Sequence, residues 1–101
     1  MVGGVTTFFI SRHPGALQWM TQAGLAFDEW APHFDPTALR AGDTVIGTLP
    51  VHQAAQVCHR GARYVHLALD LPEQARGREL SADDMDRYSA RLEPYVVVAV
   101  A

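Results

Sequence analysis

Twice in its first half the chain repeats one unit: a β-branched or aromatic run, a short polar loop, then a proline that opens an apolar helical stripe. The first unit is Val5-Thr6-Thr7-Phe8-Phe9-Ile10, the loop Ser11-Arg12-His13, and Pro14 followed by Ala16, Leu17, Met20 and Ala23 up to Gly24. The second is Asp43-Thr44-Val45-Ile46-Gly47-Thr48-Leu49, then Pro50 with Val51, Ala54, Ala55 and Cys58 on one face. Proline fits a first helical turn, where its missing N–H has no partner to lose. A run that is apolar at both parities belongs to a strand covered on both faces. Strands alternating with short helices imply right-handed crossovers and a mostly parallel sheet.

The other segments extend this pattern. Leu25 to Trp30 predicts a second strand, broken at Ala31-Pro32, and Pro36 to Leu39 predicts no more than a helical turn. His59, Arg60 and Gly61 close the second helix with cations for the dipole and a glycine for the left-handed cap. Tyr64 to Leu69 is the next strand, closed by Asp70, and Leu71 to Glu79 has no period and predicts a loop. Ser81 with Asp84 has the form of a capping box, Leu80 and Met85 of a hydrophobic staple, and the stripe Met85, Tyr88, Leu92 predicts a helix that Pro94 ends. Tyr95-Val96-Val97-Val98-Ala99-Val100 then predicts a strand lying centrally in the sheet. The fold class is therefore α/β, a small Rossmann-like three-layer domain with a mostly parallel sheet of about five strands.

Composition sets the limits. A chain of 101 residues has room for one domain. Hydrophobic residues make up 49% and charged residues 19%, which supports a packed core and argues against disorder. No apolar run reaches the roughly 20 residues needed to cross a bilayer. Met1-Val2-Gly3-Gly4 lacks the basic flank and apolar stretch of a secretion signal, and Cys58 has no second cysteine to pair with. The expected location is the cytoplasm, with no membrane partner. All eight basic residues are arginine, and the net charge is −3. A grip on long nucleic acid needs a strongly basic face, so a nucleic-acid ligand here would be small and held locally.

In open parallel sheets ligands sit beyond the carboxyl ends of strands, where helix N-termini aim free N–H groups outward. That rule selects Ser11-Arg12-His13-Pro14-Gly15 and Gly47-Thr48-Leu49-Pro50-Val51-His52, then Asp70-Leu71-Pro72 and Arg76-Gly77-Arg78-Glu79. The first two carry hydroxyls, a guanidinium, imidazoles and glycines at a helix start, which suits a phosphate. Neither is a dinucleotide or Walker motif, so no nicotinamide or triphosphate cofactor is expected. Each residue also has a structural role open to it. Ser11 and Thr48 suit helix caps, Arg12 suits an ion pair with Asp70, and His66 shares its parity with Tyr64 and suits packing. His59 suits a solvated face, and His33 has no informative neighbour. No histidine pair has zinc-helix spacing, the acids Asp83, Asp84 and Asp86 suit a helix N-terminus, and Cys58 lies on an apolar stripe. No metal is expected.

The segments Phe9 to Ala16, Val45 to His52, Gly61 to Leu67 and Arg76 to Leu80, in this order and spacing, resemble a family of CRISPR-associated accessory proteins of type III systems, the Csx-sixteen family. The resemblance runs over nearly the whole chain. It implies a Rossmann-like homodimer related to the sensor domains that bind cyclic oligoadenylate, and a ring nuclease that opens cyclic tetra-adenylate and ends the antiviral signal. The residues themselves then receive roles by loop position. Arg12, His13 and His52 are the catalytic candidates, with Arg12 on the phosphate and either histidine as general acid or base. Ser11, Gly15, Gly47, Thr48, Arg76 and Arg78 are the ligand-binding candidates. Two further functions compete: a module that sequesters the cyclic nucleotide without cutting it, and an interaction subunit whose arginines meet a partner's acids.

Overall fold

A computed structural model describes residues 5–100, so Met1 to Gly4 lie outside the described residues. Five strands form one sheet in the order β2-β1-β3-β4-β5. They are β1 (Thr7–Ile10), β2 (Glu29–Ala31), β3 (Thr44–Gly47), β4 (Arg63–Ala68) and β5 (Arg91–Tyr95). The first four are mutually parallel, and β5 runs antiparallel to β4. The helices are α1 (Pro14–Gln22), α2 (Val51–His59) and α3 (Ala82–Arg87), with short 3-10 turns at Pro36–Ala38 and Glu73–Ala75.

Alternation along the strands divides the core into two layers. Phe9, Ile46 and Leu67 pack with Ala16, Trp19 and Met20 of α1 and Ala82 and Met85 of α3. Val45 and Tyr64, one residue away in β3 and three in β4, pack on the other face with Ala54 and Val57 of α2. The domain is thus a three-layer, Rossmann-like α/β fold with α1 and α3 on one side and α2 on the other. The buried Asp43 ties the strand starts together: its carboxylate accepts the Thr6 N–H at 2.8 Å and the Arg40 N–H at 2.9 Å.

The C-terminal third departs from the sequence expectation. The helix after Ser81 ends at Arg87 because Ser89 takes a positive φ of 59°, so Leu92 lies on β5 opposite Leu67 rather than on a helical stripe. Pro94 sits inside that strand, opposite Val65, and does not stop a helix. The strand expected over Tyr95 to Val100 in the sheet centre is absent, and Val96, Val98 and Val100 are 85%, 72% and 93% exposed. A proline is tolerated on an edge strand, where one missing N–H leaves no ladder gap, and this edge is where β5 lies. Only Val97 turns inward, against the α2-side core.

Candidate functional site

The topology selects one place on the sheet. From β1 the chain crosses through α1 to β2 on one side, and from β3 it crosses through α2 to β4 on the other. The strand order therefore reverses between β1 and β3, the point at which open α/β sheets leave a crevice at their carboxyl edge. Ile10 and Gly47 stand opposite one another at that edge. The loop after each opens into a cleft of about 900 Å³.

Ser11, Arg12 and His13 enter the cleft from the first loop, Thr48, Leu49 and Pro50 from the second. Arg78 and Glu79 reach it from the segment before α3, and Pro32 and His33 from the loop after β2. Leu67, Leu69 and Met85 supply an apolar floor. Among the described residues no carboxylate lies within ion-pair distance of Arg12 or Arg78. Asp70, the acid available to Arg12 by sequence, is 3.2 Å from Arg91 instead.

Neither helix that points at the cleft neutralises its own N-terminus. His13 and Pro50, the residues that precede α1 and α2, make no side-chain capping bond, and neither helix has an acid in its first turn. The N–H groups left without helical partners are those of Gly15 in α1 and of Val51 and His52 in α2, and the dipole adds positive potential. Pro14 and Pro50 have none to offer, and the next N–H groups donate to the His13 and Pro50 carbonyls. The hydroxyls expected as caps are used differently. Ser11 Oγ accepts the His13 N–H at 3.1 Å, a local turn that shapes the loop, and Thr48 Oγ1 donates to the Leu67 carbonyl at 2.8 Å. The Thr48 bond ties the corner after β3 to the end of β4.

Not all the sequence candidates meet in the cleft. Ser11, Arg12, His13, Thr48 and Arg78 line it; Gly15, Gly47, His52 and Arg76 do not. The two glycines serve close packing. A Cβ on Gly15 would collide with the Leu80 carbonyl, and one on Gly47 would come within 2.8 Å of the Ile10 carbonyl oxygen. His52 is exposed on the first turn of α2, one residue before Gln53, which reaches the cleft. Arg76 is exposed.

Two contributors went unread in the sequence. His33 lines the cleft because β2 continues through Ala31, which places Pro32 and His33 beyond the carboxyl end of a third parallel strand. Tyr64 acts from beneath. Its hydroxyl accepts the Leu49 N–H at 3.0 Å, donates to the Gly47 carbonyl at 3.1 Å, and lies 2.6 Å from His66 Nδ1. One hydroxyl proton serves one acceptor, so these contacts are all satisfied when His66 carries the proton on Nδ1. Burial pushes the Tyr64 phenol upward from its ordinary value, which keeps it protonated as this donor. His66 is the packing histidine that its parity suggested, with a role in fixing the corner after β3.

Among the described residues no group of three His, Cys, Asp or Glu side chains is placed to hold a metal ion, and no helix is long and apolar enough to cross a membrane. Cys58 lies outside the cleft, where its sulfur accepts the Val97 N–H at 3.4 Å. The cleft can therefore bind and polarise an anion through two helix ends and two unpaired guanidiniums, with imidazole beside them for proton transfer.

Residues 8–98 match the model of the family described as "Putative CRISPR-associated protein (Cas_VVA1548)", and the chain belongs to that family. No curated protein and no solved structure matches the chain.

Proposed function

We propose that this CRISPR-associated protein is a ring nuclease of the Csx-sixteen kind, which binds cyclic oligoadenylate, cyclic tetra-adenylate foremost, in the cytoplasm and opens it to linear products. The reading is carried by one observation: the loops flanking the strand-order reversal, with Arg12-His13 on one and Thr48 on the other, line a single cleft. Membership of a CRISPR-associated family agrees with it.

The reaction asks mainly for alignment. A ribose 2′-oxygen attacks the adjacent phosphorus and forms a new P–O bond as the bond from phosphorus to the 5′-oxygen breaks. The product carries a 2′,3′-cyclic phosphate at one end and a 5′-hydroxyl at the other. The proton leaves the 2′-hydroxyl to a base, and another is delivered to the departing 5′-oxygen. Arg12 and Arg78 grip the phosphate oxygens, as a guanidinium holds two at once, and the N-termini of α1 and α2 add potential where negative charge builds. His13 and His33, which both line the cleft, take the proton-transfer roles, with His52, one residue before Gln53, as the remaining candidate. This chemistry needs no metal. A cyclic tetranucleotide has two-fold symmetry, and a homodimer whose clefts face each other would offer two copies of each arginine to its four phosphates.

The test is incubation of excess protein with cyclic tetra-adenylate and a chelator, followed by chromatography. Conversion to linear oligomers ending in a 2′,3′-cyclic phosphate is expected. Tight binding with the ring intact would replace the nuclease with a sequestering module, and no binding would remove both.

A further inference from the structure

On the α2 side of the sheet the helix covers β3 and β4 but leaves β1 and β2 to the loop Pro32–Leu39. Under that loop is a second cavity of about 230 Å³, lined by Phe8, Ile10, Ala31, Phe34, Leu39 and Val45. It lies beside the cleft, since Ile10, His33 and Phe34 line both. Whole small-molecule ligands occupy about 300 to 1,000 Å³, so this space suits one ring system and not an entire nucleotide. Phe8 pairs with Glu29 and Ile10 with Ala31 in register, which puts the Glu29 carboxylate on the cavity's face of the sheet. Among the described residues that carboxylate has neither a salt bridge nor a side-chain hydrogen bond, whereas the other rim acid, Asp35, is held by Thr37.

An apolar slot walled by two phenylalanines, with one unengaged acceptor at its mouth and an anion cradle next door, matches the two halves of a nucleotide. We infer that this side pocket is a base subsite: it takes one purine ring of the ligand whose phosphate sits in the cleft, with Glu29 accepting the exocyclic amino group. The inference rests on the cleft being a phosphate site, as proposed above. Stacking on aromatic rings provides the affinity, typically about 1–3 kcal/mol per base. The carboxylate provides the preference for a base that has an amino donor on its pairing edge.

Two probes separate the halves. Adenosine 5′-monophosphate and ribose 5-phosphate are titrated into ¹⁵N-labelled protein, wild type and with the slot filled by Ala31→Leu or, from the loop side, Ala38→Phe. Thermal melts confirm that the variants fold. The base subsite predicts that adenosine monophosphate binds at least tenfold more tightly than ribose phosphate and alone shifts the amides of Phe34, Ala38 and Leu39. Each filling variant should erase that preference and leave ribose phosphate binding unchanged. Equal affinities, or no shifts around Phe34, overturn the subsite, and if cyclic tetra-adenylate still binds in that case the cleft reading survives alone. Failure of both probes to bind at millimolar concentration overturns both.

Discussion

Arg12 and His13 share one loop, but in the proposed reaction they are lost in different ways. Arg12→Ala removes an unpaired guanidinium that meets the phosphate in the ground state and the transition state alike, so binding and turnover should both fall. His13→Ala removes a proton carrier and should lower single-turnover rate by about 10²–10⁴-fold, with affinity nearly unchanged. Titration calorimetry and quenched-flow measurements on both variants separate these outcomes, and wild-type activity in both would take the loop out of the site. Tyr64→Phe acts one layer down. It keeps the ring in the core but leaves the Gly47 carbonyl and the Leu49 N–H without their partner, which should cost about 1–3 kcal/mol in urea unfolding. The Leu49 amide should also exchange with solvent faster. Nothing in the sequence around Tyr64 announces this role, because it depends on β4 lying beside β3, and adjacency of strands is not a local property.

At the scale of elements, local chemistry was readable wherever it decided the outcome. Pro14 and Pro50 mark the starts of α1 and α2, and the Ser81–Asp84 box is present in both directions at 3.1 Å. Ser81→Ala should cost about 1 kcal/mol. The box also depends on pH. Hydrogen bonding from the Ser81 backbone N–H holds the Asp84 carboxyl below its ordinary value, with burial opposing and the Ser81 hydroxyl contributing. A carboxylate with a depressed folded value stabilises the protein above the unfolded value, near 3.9, and loses that contribution as pH falls through the folded one. The difference in melting temperature between wild type and Asp84→Asn should thus be constant from neutral pH to about pH 5 and close below about pH 4. The last strand was misplaced for a related reason. The run from Tyr95 to Val100 has high β-propensity, but propensity carries no information about which sheet position remains vacant, and Leu92 gains more by pairing opposite Leu67.

For the whole molecule the Rossmann-like class was legible because alternation of strand and helix is a sequence property, and so was the edge at which the cleft opens. Which candidates would meet was less so. His33 was hidden by a strand boundary set at Trp30, whereas β2 runs through Ala31. Gly15 and Gly47 looked like room for a phosphate and are room for Leu80 and Ile10 instead. Because the cleft spans both sides of the strand-order reversal, an occupied cleft joins segments from every strand connection at that edge. Ligand at about 100 times its dissociation constant should raise stability by about 2.7 kcal/mol, a melting shift of about 10–20 °C for a domain of this size. Differential scanning fluorimetry with cyclic tetra-adenylate reads it directly, and an unchanged melting temperature would count against the site.

Pro94 has one more effect. The residues after it, Tyr95 to Val100, are mostly valine, uncharged and largely open to water, the composition from which fibril spines are built. A proline just ahead of such a stretch, on the free margin of the sheet, denies an incoming chain a continuous row of donors and acts as a gatekeeper. Pro94→Thr should leave the fold intact and shorten the lag before thioflavin-positive aggregates form, so the one ring that the strand pattern least expected would be what keeps concentrated protein in solution.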